Sequence, residues 1–163
     1  MWSRSALLLL LLPACHFFVP DTRTPVDRAN EIAPRCQGFA EEAAAQLLSP
    51  AIVDSVEPAY AYVQSGPADR QARLRGARIR LRPIGGLSRE SIDRSLECHQ
   101  SRVVLGATPP LADDPYTLAG QWLDIDVDSE KDGFVVQVET DDLPAARDVL
   151  ERVKRFAAAR TGP

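Results

Sequence analysis

Apolar and polar positions along the chain change period several times, and each change predicts an element. Thr24 offers an N-cap and Pro25 a first helical residue, after which Ile32, Cys36, Phe39, Ala43 and Leu47 recur at spacings of three and four. That stripe predicts a helix running to about Leu48, kinked or restarted at Pro34. It also turns Cys36 toward the core. Val56 to Gln64 reads as a strand, with Pro58 tolerated near its start or on an edge. After a turn at Ser65-Gly66-Pro67, Leu74 to Ile84 alternates: Ala77, Ile79 and Leu81 point one way, Arg78, Arg80 and Arg82 the other.

Gly85-Gly86 breaks the alternation, and Leu87 and Ile92 can staple a helix around an N-cap at Ser88. This helix runs to about Val104. At 100° per residue Ile92, Leu96, His99 and Val103 share a narrow stripe, with Cys98 well off it. Residues 106–120 carry three prolines and two terminal glycines and read as a long loop, of the kind that is either functional or mobile. Trp122 to Asp128 alternates again, Leu123, Ile125 and Val127 inward and Asp124, Asp126 and Asp128 outward. Asp132-Gly133 then turns the chain into Phe134 to Thr140, completing a hairpin. Asp141 or Asp142 caps a last helix with Ala146, Val149, Leu150, Val153, Phe156 and Ala157 on one side.

The order is one helix and then strand-strand-helix twice, over about 56–104 and 122–159, a layout that suggests structural duplication. The expected class is α+β: an antiparallel four-stranded sheet with helices packed on one face. Its other face is polar, as the rows of Arg and Asp require.

The first residues obey a different rule. Arg4 lies in a short head, Ala6 to Leu12 is unbroken apolar, and Leu12-Pro13-Ala14-Cys15 follows. Such a run is far short of the roughly 20 residues of a spanning helix but suits a signal peptide. The stretch resembles the lipobox of bacterial lipoprotein signals, in which a Leu and a small residue precede an invariant Cys; Pro13 is the less usual occupant. The resemblance implies cleavage before Cys15 and acylation there, with several chains making a stable anchor. The other reading is an ordinary cleaved leader with Cys15 as a bystander. His16 rather than Asp after the anchor implies release to the periplasmic side of the outer membrane in a Gram-negative bacterium. The boundaries are then 1–14 signal peptide, 15–24 lipidated Cys and tether, and 25–160 one α+β domain. Phe17 and Phe18 in the tether stand close enough to dip into the bilayer interface. The helix around Glu97-Cys98-His99 and the hairpin-helix after it resemble stretches of exported bacterial proteins without assigned activity.

Composition narrows the function further. The formal net charge is −4, and only Lys131 and Lys154 are lysines. A basic footprint for nucleic acid is missing, so nucleic acid is not an expected partner. With Cys15 acylated, Cys36 and Cys98 remain as an even pair in an oxidising compartment, and a disulfide is the expected state.

The same residues allow a sharper alternative, a periplasmic metal- or small-ligand-binding protein using Cys98 and His99, with Cys36 as a further ligand. Helix neighbours project about 100° apart, whereas metal pairs on helices sit at i, i+3 or i, i+4. The structural reading is therefore preferred: Cys98 bridges to Cys36, and His99 is a half-buried packing residue. Asp124-x-Asp126-x-Asp128 lacks the Gly and Glu of a calcium loop, having Ser129 and Val135 instead. Arg78, Arg80 and Arg82 form a candidate anion- or partner-binding row, or pair across the sheet with the three aspartates. No nucleophile elbow accompanies His99, no phosphate-binding glycine loop is present, and Asp141-Asp142 sits where a cap belongs. The expectation is a non-enzymatic envelope module without cofactor. It would bind a protein partner through its open sheet face or its 106–120 loop.

Overall fold

Residues 22–38, 41–64, 66 and 69–161 are described by the structure, a computed structural model. The leader, Cys15, Phe17, Phe18 and Phe39 lie outside them. Helix α1 covers Pro25–Ile32. Thr24 and Asp27 cap it reciprocally, the Asp27 N–H donating to the Thr24 hydroxyl at 3.1 Å and the Thr24 N–H to the Asp27 carboxylate at 2.9 Å. Pro34 falls in a 3-10 turn, Ala33–Cys36, and helix resumes as α2, Glu41–Leu47. The chain thus restarts rather than kinks. No helix among the described residues is long and apolar enough to cross a membrane.

Strands β1 (Val53–Gln64) and β2 (Arg70–Leu81) precede α3 (Arg89–Val104); β3 (Asp124–Glu130) and β4 (Gly133–Glu139) precede α4 (Leu143–Ala158). The four strands form one antiparallel sheet in the order β1-β2-β4-β3. Alternation sets its two faces. Ala77, Ile79 and Leu81 are fully buried, opposite Val138, Val136 and Phe134 of β4, while Arg78 and Arg80 are exposed. Ile125 and Val127 continue the apolar face onto β3.

Both long helices cover that face. Ile92 and Leu96 of α3 join Val149, Val153 and Phe156 of α4 in the same core cluster. The helices cross over: α3 packs on β3 and α4 on β2 and β1, so each strand-strand-helix unit roofs the other's hairpin. The predicted caps are in place. Ser88 accepts from the Ser91 N–H at 3.3 Å, and Asp142 accepts from the Ala145 N–H at 2.8 Å. Leu87 and Ile92 both pack into the core beneath the first cap.

Helix α3 is buried on a second side as well, which explains why one stripe does not describe it. The Ser101 hydroxyl donates to the Ala29 carbonyl at 2.9 Å, docking α1. Gln100, buried, pairs with both backbone groups of Leu123, donating at 3.0 Å and accepting at 2.8 Å. Its amide stands in for a neighbouring strand where the chain enters β3.

Pairing of β2 with β4 ends at Gly76, opposite Glu139. Gly76 has φ +149°, and a Cβ there would lie 2.0 Å from the Val138 carbonyl oxygen. Only glycine lets the two backbones approach so closely. Beyond it, Tyr60–Gln64 and Arg70–Leu74 pair only with each other, as a two-stranded arm. The arm's base is tied down. Arg73 donates to the Asp141 carbonyl at 2.5 Å, and the Arg75 guanidinium pairs with the Asp141 carboxylate.

Candidate functional site

The residues singled out by sequence separate into three places. The first is a buried seam between α1 and α3. Cys36 and Cys98 are joined by a disulfide with Cα atoms 5.5 Å apart, and both are buried beside Ile32 and Trp122. Cys98 points at α1 and the 3-10 turn instead of the sheet, as its offset from the main stripe implies. Both sulfurs are engaged in the bridge, so in this state neither offers a thiolate to the metal reading of Cys36, Cys98 and His99.

His99 departs from its predicted role. It is buried rather than half-buried, and its Nε2 lies 2.6 Å from the Asp114 carboxylate, whose own side chain has no exposure. The other Asp114 oxygen accepts the Tyr116 N–H at 2.9 Å. These bonds pin the middle of the 106–120 loop, where Asp114, Tyr116 and Thr117 are buried, so the segment is neither simply mobile nor wholly superficial. Tyr116 is fully enclosed. Burial, and secondarily the Asp114 charge, pushes its phenol well above the ordinary range, and its hydroxyl has no hydrogen-bond partner among the described residues. A His-Asp pair of this kind can orient an imidazole for catalysis, but among the described residues no serine or cysteine hydrogen-bonds the ring. Ser101 is bonded to Ala29, Ser95 to Ser91, and Cys98 to Cys36.

The second place is the open sheet face. Arg78 and Arg80 lie there, and Arg82 just beyond the end of β2. They are not beside Asp124, Asp126 and Asp128, because β4 intervenes. Arg80 instead pairs with Glu130, and Arg78 stands in register between Glu57 of β1 and Gln137 of β4. The aspartates find helical partners around the β3 edge: Asp124 with Arg28 at 3.0 Å and Asp126 with Arg89 at 3.7 Å. Exposed pairs of this sort contribute roughly 0 to 1 kcal/mol each. The expected pairing of the two rows across the sheet is therefore not found, because strand order separates them.

The same β3 edge borders a polar hollow of about 280 Å³ containing Arg28, Arg35, Glu97 and Trp122. Its cations are engaged: Arg23 with Glu31 at 2.5 Å, and Arg35 with Glu31 at 3.9 Å. Burial raises the Glu97 carboxyl above its usual range, with the Asp93 charge second, and raises Asp93 itself in the same way. The hollow is an ion-pair platform over the disulfide seam.

The third place was legible only in part, through the 106–120 loop that supplies most of its lining. Leu111 and Leu118 of the pinned loop, Val103 and Val104 at the end of α3, and Val26 of α1 enclose an apolar groove of about 570 Å³. Its walls come from segments far apart in sequence, and Val26 and Leu111 are half exposed at 49% and 53%. Comparisons with protein families, with curated proteins and with solved structures find no match for this chain.

Proposed function

We propose that this chain is a non-enzymatic protein-interaction module of the cell envelope, held on the periplasmic side of the outer membrane through acyl chains on Cys15. The β1–β2 arm is the surface it offers to an envelope protein partner. One observation carries the interaction reading: β1 is an edge strand whose outer half leaves the sheet with Tyr60, Tyr62 and Val63 exposed, Tyr62 at 74%.

An edge strand presents unpaired backbone groups, and proteins that work alone blunt such edges with charge or proline. Glu57 and Pro58 do this at the base of β1, and nothing comparable occupies Tyr60 to Val63. Tyrosine is enriched where proteins meet, because it brings apolar area and a polar tip at little conformational cost. A partner strand adding to β1 would gain ladder hydrogen bonds and two aromatic contacts. The clamps from Arg73 and Arg75 to Asp141 hold the arm ready, which lowers the ordering cost of binding.

The test is paired capture from envelope fractions by the chain and by its Tyr60→Ser/Tyr62→Ser variant. Both side chains are exposed, so the variant is expected to keep its melting temperature within about 3 °C. A defined protein recovered by the parent chain, and reduced at least tenfold with the variant, is the expected result. Equal recovery by both would remove the arm from the account.

A further inference from the structure

The apolar groove carries a mismatch that the arm does not explain. Its walls are hydrocarbon, yet Arg152 of α4 lines it, half-buried, and among the described residues makes no ion pair or hydrogen bond. One turn on, Arg155 does have a partner, Asp113, at 3.0 Å. The loop that forms one wall is fixed by that pair and by His99–Asp114. The groove is therefore preformed, in the size range of small-molecule sites.

We infer that the groove takes the hydrocarbon chain of a fatty acid, with the carboxylate seated on the Arg152 guanidinium. Apolar walls select a chain with no hydrogen-bonding groups of its own. An extended peptide would bring a backbone amide at every residue against walls whose polar side chains are Thr117 and Arg152, a poorer match than a plain hydrocarbon chain. The guanidinium matches a planar carboxylate through two parallel hydrogen bonds, and it gains strength beside a low-dielectric wall. The single cation and the apolar lining thus point to the same amphiphile. The inference is independent of the arm and of acylation at Cys15.

The test uses the chain from residue 15 onward with Cys15→Ser, which keeps every buried core residue, Ala29 through Phe156. Dansyl-labelled undecanoic acid is the fluorescent probe, and palmitate, hexadecanol and phosphatidylglycerol vesicles are the competitors. Saturable binding of one probe per chain is expected, with displacement by palmitate. Arg152→Gln is expected to weaken palmitate about tenfold, the loss of one charge-assisted contact, while leaving the weaker hexadecanol unchanged. Ala119→Trp, which fills the groove from an exposed turn, is expected to abolish probe binding without changing the melt. The inference is overturned if the probe does not saturate, if Arg152→Gln binds palmitate like the parent, or if Ala119→Trp still binds. Displacement by the vesicles and not by palmitate would also overturn it, assigning the groove to a bilayer lipid.

Discussion

Asp114→Ala is expected to lower the stability of the fold by about 3 kcal/mol, because it leaves both a buried imidazole and a buried backbone N–H without their acceptor. The carboxylate has no solvent exposure and sits 2.6 Å from an imidazole that is itself buried, so neither group has water to fall back on. Its second oxygen holds the Tyr116 N–H, and its loss leaves that donor unpaired inside the protein. The effect should be local before it is global. Hydrogen exchange at Tyr116 and Thr117 is expected to accelerate more than exchange in β2, because the pair is what pins the 106–120 loop to α3. Two companion variants separate the pair from general crowding. Tyr116→Phe removes a hydroxyl that has no partner among the described residues and is expected to stay within about 1 kcal/mol of the parent. His99→Leu/Asp114→Leu is expected to recover part of the single-variant loss, since replacing both members of a buried pair is cheaper than orphaning one. Urea unfolding that places Asp114→Ala within about 1 kcal/mol of the parent would contradict this reading.

The second large effect belongs to the disulfide. Cys36 and Cys98 are 62 residues apart, and closing a loop of that span removes unfolded-chain entropy equivalent to about 4 kcal/mol. Cys36→Ala/Cys98→Ala should therefore lower Tm by roughly 8 to 16 °C, at about 2 to 4 °C per kcal/mol for a chain of this size. The loosened part should be α1 and its 3-10 turn, because the bridge joins them to α3, whereas the sheet has its own cluster. Both cysteines are buried, so native protein is expected to resist alkylation until it is reduced under unfolding conditions. Two free, reactive thiols in the native chain would contradict the bridge and reopen the metal reading.

What the sequence revealed follows from which interactions are local. Alternation in β2 and β3 exposed both strands because each has one wet and one dry face, and Ser88, Thr24 and Asp142 marked helix starts because caps bond within one turn. The cysteine pairing was legible by elimination only on the expectation that Cys15 is acylated and the compartment oxidising. Strand order was not: alternation states which face is buried and nothing about neighbours, so β4 between the Arg and Asp rows came only with the fold. His99 and Asp114 are separated by a helix end and a loop, and no periodicity links them. Tyr60 and Tyr62 alternate like core residues, and only the end of β4 pairing at Gly76 leaves them outside. The groove combines α1, the end of α3, the loop and α4, and no single stretch of sequence carries its whole signal.

Lipid attachment remains the premise on which place and partner depend, and intact-mass spectrometry of material isolated from expressing membranes addresses it most directly. A chain beginning at Cys15 with the added mass of its acyl groups is the predicted result. A chain still beginning at Met1, or cleaved elsewhere and carrying no acyl mass, would contradict the account.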